Sequence, residues 1–207
     1  MADSVLLFLA EVAFISLSGV LAPGPIFATT IADGYKDPQA GVKVSVGHAI
    51  IELPLIVAIF LGLDTVLRDD AVFIAIGLLG GVILLYLGAD MIRSRHRIVQ
   101  ENSGSRRGPL VSGIILTAAN PYWLLWWATV GAALIAGAVQ FGLIMLPIFA
   151  LVHLSCDFAW YSAVGYTVNR SKSFWNKKWH MYLFLASGVI MLVFGVYFLA
   201  SSVLKLV

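Results

Sequence analysis

Charge and cysteine are both scarce in this sequence. Aspartate, glutamate, lysine and arginine make up 12% of its 207 residues, about half the share of a soluble globular domain. A lone cysteine, Cys156, leaves no intramolecular disulfide and reads as a small packing residue. The chain has no phosphate-cradling glycine loop, which argues against direct use of ATP. It also has no His-Glu-x-x-His, so the commonest helical zinc-hydrolase signature is missing. Nothing suggests a haem, flavin or nucleotide site, and no cofactor is expected. The amino terminus carries Asp3 and Glu11 in place of a basic leader with a small-residue cleavage site, so the first apolar segment is expected to stay as a helix.

Apolar side chains take the place of the missing charge. Hydrophobic residues reach 60% and the mean hydropathy is +0.95, which places the chain among integral membrane proteins. Its length holds about six spans of roughly 20 residues and almost nothing else. Helices are predicted at about Val5 to Ala32, Gly41 to Leu63, Ala71 to Arg93, Leu110 to Ala136, Phe141 to Val168 and Met181 to Leu204. Basic residues fall mainly in the first, third and fifth connections: Lys36 and Lys43, then Arg93, Arg95, Arg97, Arg106 and Arg107, then Arg170, Lys172, Lys177 and Lys178. By the positive-inside rule these connections face the cytoplasm and both termini lie outside. Topology and anionic headgroups explain the arginines, so no nucleic-acid partner is expected. Trp175 and Trp179 beside Lys177 and Lys178 read as an interfacial anchor.

One signature occurs twice. Gly81-Val82-Ile83-Leu84-Leu85-Tyr86-Leu87-Gly88 returns as Gly188-Val189-Ile190-Met191-Leu192-Val193-Phe194-Gly195, and Ser94 and Ser201 follow at equal spacing. Self-similarity at half the chain length points to two homologous bundles of three helices, about 1–93 and 109–207, joined by a polar linker of about 94–108. Three is odd, so the second bundle must be inverted relative to the first. The expected fold is therefore an all-α membrane protein with six transmembrane helices in two inverted repeats, the architecture of alternating access.

The first and fourth helices carry central breaks. Pro23-Gly24-Pro25 removes two backbone donors and adds a glycine, and Asn120-Pro121 interrupts the fourth helix at a matching place. Half-helix ends exposed by such breaks present partial charges to an ion or a zwitterion, while a simple proline kink is the alternative for each. The second and fifth helices carry paired ionisable residues: His48 with Glu52, and His153 with Asp157, each pair four apart and so on one face. An ionisable group at the bilayer centre costs several kcal/mol, which argues that these residues share a polar cavity. They could relay protons, hold a substrate ammonium, or together ligate a divalent transition ion. In the bland alternative each pair satisfies itself within its own helix. Thr29 and Thr30 follow the first break closely enough to line the cavity, although threonines often bond back to their own turn. Trp123, Trp126 and Trp127 form either an aromatic wall or ordinary packing, with packing favoured. Several glycines, among them Gly41, Gly47, Gly81, Gly88, Gly188 and Gly195, suit close helix approach.

Taken in order, these motifs resemble the LysE/RhtB family of amino-acid exporters over nearly the whole chain. They are Ala22-Pro23-Gly24-Pro25, Gly34-Tyr35 with Gly41 and Gly47, Tyr86-Leu87-Gly88, Asn120-Pro121, Asp157 with Trp160, and the glycine-rich last helix. The resemblance implies a multi-pass protein of the cytoplasmic membrane that exports amino acids or similar small metabolites on the proton-motive force. It also implies a transporter and not an enzyme, with a small-molecule substrate, protons and the lipid bilayer as partners. A homodimer is an open option for so small a bundle. Pro23, Gly24, Pro25, Thr29, Asn120, Pro121 and Trp126 would then shape the substrate site. Glu52 and Asp157 would couple protons, with His48 and His153 as their partners. Tyr122 follows Asn-Pro where many members carry lysine, and the paired histidines are not typical of the family. Exporters of divalent cations belong to the wider superfamily, so metal efflux through His48, Glu52, His153 and Asp157 is the alternative reading.

Overall fold

A computed structural model describes residues 4–21, 24–63, 66, 69–94, 107–171 and 177–205, and within them the chain is helical with no strand. Residues 95–106, most of the expected linker, lie outside the described residues, as do Ala22, Pro23, Arg68 and Trp175. Helix α1 covers Val5–Val20, with the Ser4 hydroxyl accepting from the Leu7 amide at its start. It ends at Val20, with Leu21 and Ala22 before the proline-rich break. Helix α2, Pro25–Gly34, restarts with Pro25 in the first turn, where a missing N–H is harmless, and with extended Gly24 before it. The first expected helix, Val5 to Ala32, is thus two half-helices that part at its expected central break.

Helix α3, Ala40–Ala58, runs into a five-residue π turn, Ile59–Leu63, that closes at Gly62. The φ of +105° there suits glycine alone. Helix α4, Asp70–Ser94, is the first of the two signature helices. The fourth expected helix is again divided. Helix α5, Pro109–Ala118, stops before extended Asn120, and helix α6, Pro121–Trp126, begins with the Asn120 side chain accepting from the Trp123 amide. A π turn, Trp127–Gly131, leads into helix α7, Ala132–Val139. Helices α8, Met145–Arg170, and α9, Lys177–Leu204, complete the chain.

Four helices among the described residues are long and apolar enough to cross a membrane: Ala40–Leu63, Asp70–Arg93, Tyr122–Val139 and Met145–Arg170. The exterior is correspondingly oily, with Leu6, Phe14, Leu61, Leu143 and Leu151 all largely exposed. Four ionisable groups are inside instead: Glu52, Asp157, His48 and His153 are each at most 5% accessible. That inverted distribution is what a hydrocarbon solvent selects.

Helix α3 lies at the centre, between α5 and α8, with α1 and α2 packed on α8. Gly47 admits the backbone of α5 at Leu110, and Gly113 of α5 admits the backbone of α3 at Val44, so these helices approach at backbone distance. On the other flank α4 lies along α9. The two signatures meet there in opposite directions, with Gly81 against Gly195 and Gly88 against Gly188. Helix α6 contacts α4 and α2 contacts α9, which joins this pair to the rest.

Candidate functional site

The four ionisable residues come together, and across helices as well as within them. Nε2 of His48 is 3.0 Å from Oε1 of Glu52 on the same face of α3, and 3.7 Å from Oδ1 of Asp157 on α8. Nε2 of His153 is 3.5 Å from Oε2 of Glu52 and 3.9 Å from Oδ2 of Asp157. The shorter of the two His153 contacts therefore crosses between helices. Each i, i+4 spacing brings its pair to one helix face, and the close approach of α3 to α8 merges the two faces into one cluster.

Neutral side chains hold this cluster in place. The Trp123 and Trp127 indoles both donate to Oε1 of Glu52, at 2.9 and 3.0 Å. They sit four residues apart, Trp123 on α6 and Trp127 opening the π turn. The turn accommodates the Trp127 ring, because a Cβ on Gly131 would collide with it. The Thr117 hydroxyl on α5 is 2.8 Å from Nδ1 of His48 and donates to the Gly113 carbonyl at 2.6 Å. The Ser16 hydroxyl on α1 is 2.7 Å from Nδ1 of His153. Each histidine is thus oriented from the other half of the chain. The rings of Trp126, Trp127 and Phe149 pack around His153. Within the cluster, Oε2 of Glu52 and Oδ2 of Asp157 have no hydrogen-bond partner among the described residues.

The cluster opens on a cavity of about 100 Å³, room for a few waters or a small organic solute. Gly24, Pro25, Asn120, Trp126 and Tyr161 line it, and Met191 and Phe194 of α9 face it from the signature pair. Both helix breaks therefore border the same space as the ionisable cluster. Gly24 at the N-cap of α2 has no side chain to cap it, and among the described residues no side chain caps the amides of the first turn beside the cavity. Thr29 is half-buried on α2 and is not among the lining residues, and Thr30 bonds back to the Ile26 carbonyl. Pro121 takes the first position of α6; its side chain and all of Pro23 lie outside the described residues.

Sequence reasoning found the four charged groups and both breaks but not Ser16, Thr117 or Tyr161. The first two act through contacts between distant segments, which no local spacing reveals. Trp123 and Trp127 carried a usable signal, since their i, i+4 spacing repeats that of the histidine-carboxylate pairs. They pack in the core and also donate to Glu52, so wall and packing are not exclusive.

As a cation site the cluster is poorly set up. His48, Glu52 and Asp157 can bring ligand atoms within 4.8 Å of one another. Yet Oε1 of Glu52, the oxygen nearest the His48 ring, already faces three nitrogens, and two indole N–H groups turn their positive ends toward it. A divalent ion needs free lone pairs in that position.

A polar cluster held inside an oily helical bundle, bordered by two broken helices, defines a multi-pass membrane transport protein. The chain belongs to the LysE type translocator family, whose model matches residues 17–202. This is a family of transporters and not of enzymes. Neither a curated protein nor a solved structure matches the chain.

Proposed function

We propose that the protein exports an amino acid or a related small zwitterion across the cytoplasmic membrane in exchange for protons. The observation that carries this reading is the pairing of one buried His-Glu-His-Asp cluster with an uncapped half-helix N-terminus on the same cavity. The carboxylates suit an ammonium group, the α2 amides suit a carboxylate, and the aromatic rings suit the carbon between them. A cluster of two acids and two histidines also has proton capacity in the physiological range.

The transport cycle we infer is alternating access between two inverted three-helix repeats, residues 1–93 and 109–207. Two observations support it. Exchanging each signature glycine for its counterpart converts the Gly81–Gly195 contact into the Gly188–Gly88 contact. The same exchange converts the His48–Asp157 contact into His153–Glu52. Six spans with both termini outside follow from the basic residues of the odd connections. Pro23, Gly24, Pro25, Asn120 and Pro121 would shape the site at the breaks, and Trp126, which lines the cavity, would contribute to selectivity.

The test uses liposomes holding the purified protein, loaded with mixed amino acids, manganese and zinc. A pH gradient is imposed and the released solutes are identified by mass spectrometry. Loss of one amino-acid class with both metals retained is the expected result. Selective metal release would replace this reading with cation export.

A further inference from the structure

The two histidines are related by the repeat but differ in their hydrogen bonding. The Thr117 hydroxyl has one proton, and its 2.6 Å contact with the Gly113 carbonyl uses it, since two oxygens that close repel without a proton between them. Thr117 must therefore accept from His48, which places a proton on Nδ1. On the opposite side of the ring, Nε2 faces Oε1 of Glu52 at 3.0 Å. That oxygen also receives the Trp123 and Trp127 indoles. An ionised oxygen accepts three donors readily, whereas the hydroxyl oxygen of an acid is a poor acceptor. Nε2 of His48 is then a donor as well, and the ring carries both protons.

Around His153 the bonding differs at every point. Among the described residues Ser16 makes no hydrogen bond other than the one to Nδ1, so its hydroxyl can turn either to donate or to accept. Nε2 faces Oε2 of Glu52 and Oδ2 of Asp157 at 3.5 and 3.9 Å, both longer than an ordinary hydrogen bond. Within the cluster, these are the two carboxylate oxygens without a hydrogen-bond partner among the described residues. His153 can accordingly be neutral or charged without breaking a bond.

We propose that the histidines are functionally inequivalent: His153, together with Asp157, carries the exchangeable proton, while His48 remains a fixed cation paired with Glu52. Ser16 and Thr117 are the positioning residues that make the difference. The proton enters from water in the cavity, resides on Nε2 of His153 or Oδ2 of Asp157, and returns to water when access changes. The other titratable groups nearby are His48 and Glu52 on α3, and Cys156 and Tyr161 on α8. The Cys156 thiol lies within reach of the Ala13 and Val152 carbonyls. This assignment rests on the proton-coupled reading for its purpose, but it can be measured without any transport.

The full-length chain, labelled with 15N-histidine and placed in lipid bilayers, is observed by NMR from about pH 5 to 8. His48→Gln and His153→Gln identify the two signals. The expected result is that His48 keeps both N–H groups throughout while His153 loses one. Thr117→Val should release His48 to titrate. Ser16→Ala should move the His153 midpoint by about one pH unit and leave His48 alone. Titration of His48 in the unaltered chain, or of both rings in step, would overturn the proposal, and that measurement stands if a variant fails to fold. Absence of amino-acid efflux in the liposome experiment would remove the export reading and leave this spectrum unaffected.

Discussion

Gly88 and Gly188 face each other so closely that a Cβ on either one would lie 2.8 Å from the other's carbonyl oxygen. Backbone stands on both sides of the contact, so neither helix can yield by turning a side chain. Gly88→Val is therefore expected to destabilise the α4–α9 pair by about 1–3 kcal/mol or more. Gly19→Ala makes the control, because its new Cβ would meet nothing nearer than the Trp126 indole nitrogen at 3.5 Å. Thermal unfolding in detergent checks both, with a lowered midpoint for the first and little change for the second.

Glu52 is the keystone of the cluster by its bonding. Glu52→Ala would strand two indole N–H groups and leave His48 without its nearest carboxylate, so a loss of about 3–5 kcal/mol is expected. Trp123→Phe removes one donor and keeps most of the ring, and should lose about 1–3 kcal/mol. A double-mutant cycle measures the coupling between the two positions. Additive losses would mean that the Trp123–Glu52 bond contributes nothing.

Much of this arrangement was legible because local rules decide it. Proline and glycine at Gly24-Pro25 and Asn120-Pro121 interrupt a helix wherever it lies, and a four-residue interval puts His48 beside Glu52 in any α-helix. The repeated glycine signature also foretold a close helix contact. What could not be read was which surfaces meet. Ser16 reaches His153 across 137 positions and Thr117 reaches His48 across 69. Both depend on how α1 and α5 dock, which the pattern of apolar residues does not specify, since lipid and core select the same side chains. Thr29 illustrates the converse. Its position after the break pointed to the cavity, but the rotation of α2 presents Ile26 and Phe27 there instead.

Asp37, in the connection between α2 and α3, forms an ion pair with Lys43 in the first turn of α3 at 2.6 Å. The Lys43 hydrogen bond holds the Asp37 carboxyl below its ordinary value of 3.8. A depressed carboxyl stabilises the fold above the unfolded pKa, and that contribution is lost as pH falls through the folded value. Lys43→Met should thus raise the Asp37 titration toward 3.8 and lower stability near neutrality by at most about 1 kcal/mol, since both groups are partly exposed. At strongly acid pH the variant and the parent should unfold alike. Carboxyl-carbon NMR and unfolding at both pH values test this, and a variant equally weakened in acid would show that Lys43 acts by packing.

Asp157→Asn separates coupling from binding. Asparagine keeps the size of the side chain and an acceptor oxygen, so the cavity should still take its solute, but it cannot hold the exchangeable proton. With one proton exchanged per solute, each unit of imposed pH difference supports about a tenfold solute gradient. The parent protein should build such a gradient in liposomes. Asp157→Asn should equilibrate the same solute across the membrane at a measurable rate and build none. Full pH-driven accumulation by this variant would remove Asp157 from the proton path. Loss of equilibration as well would show that the charge of Asp157, which lines the cavity, is needed to hold the substrate itself.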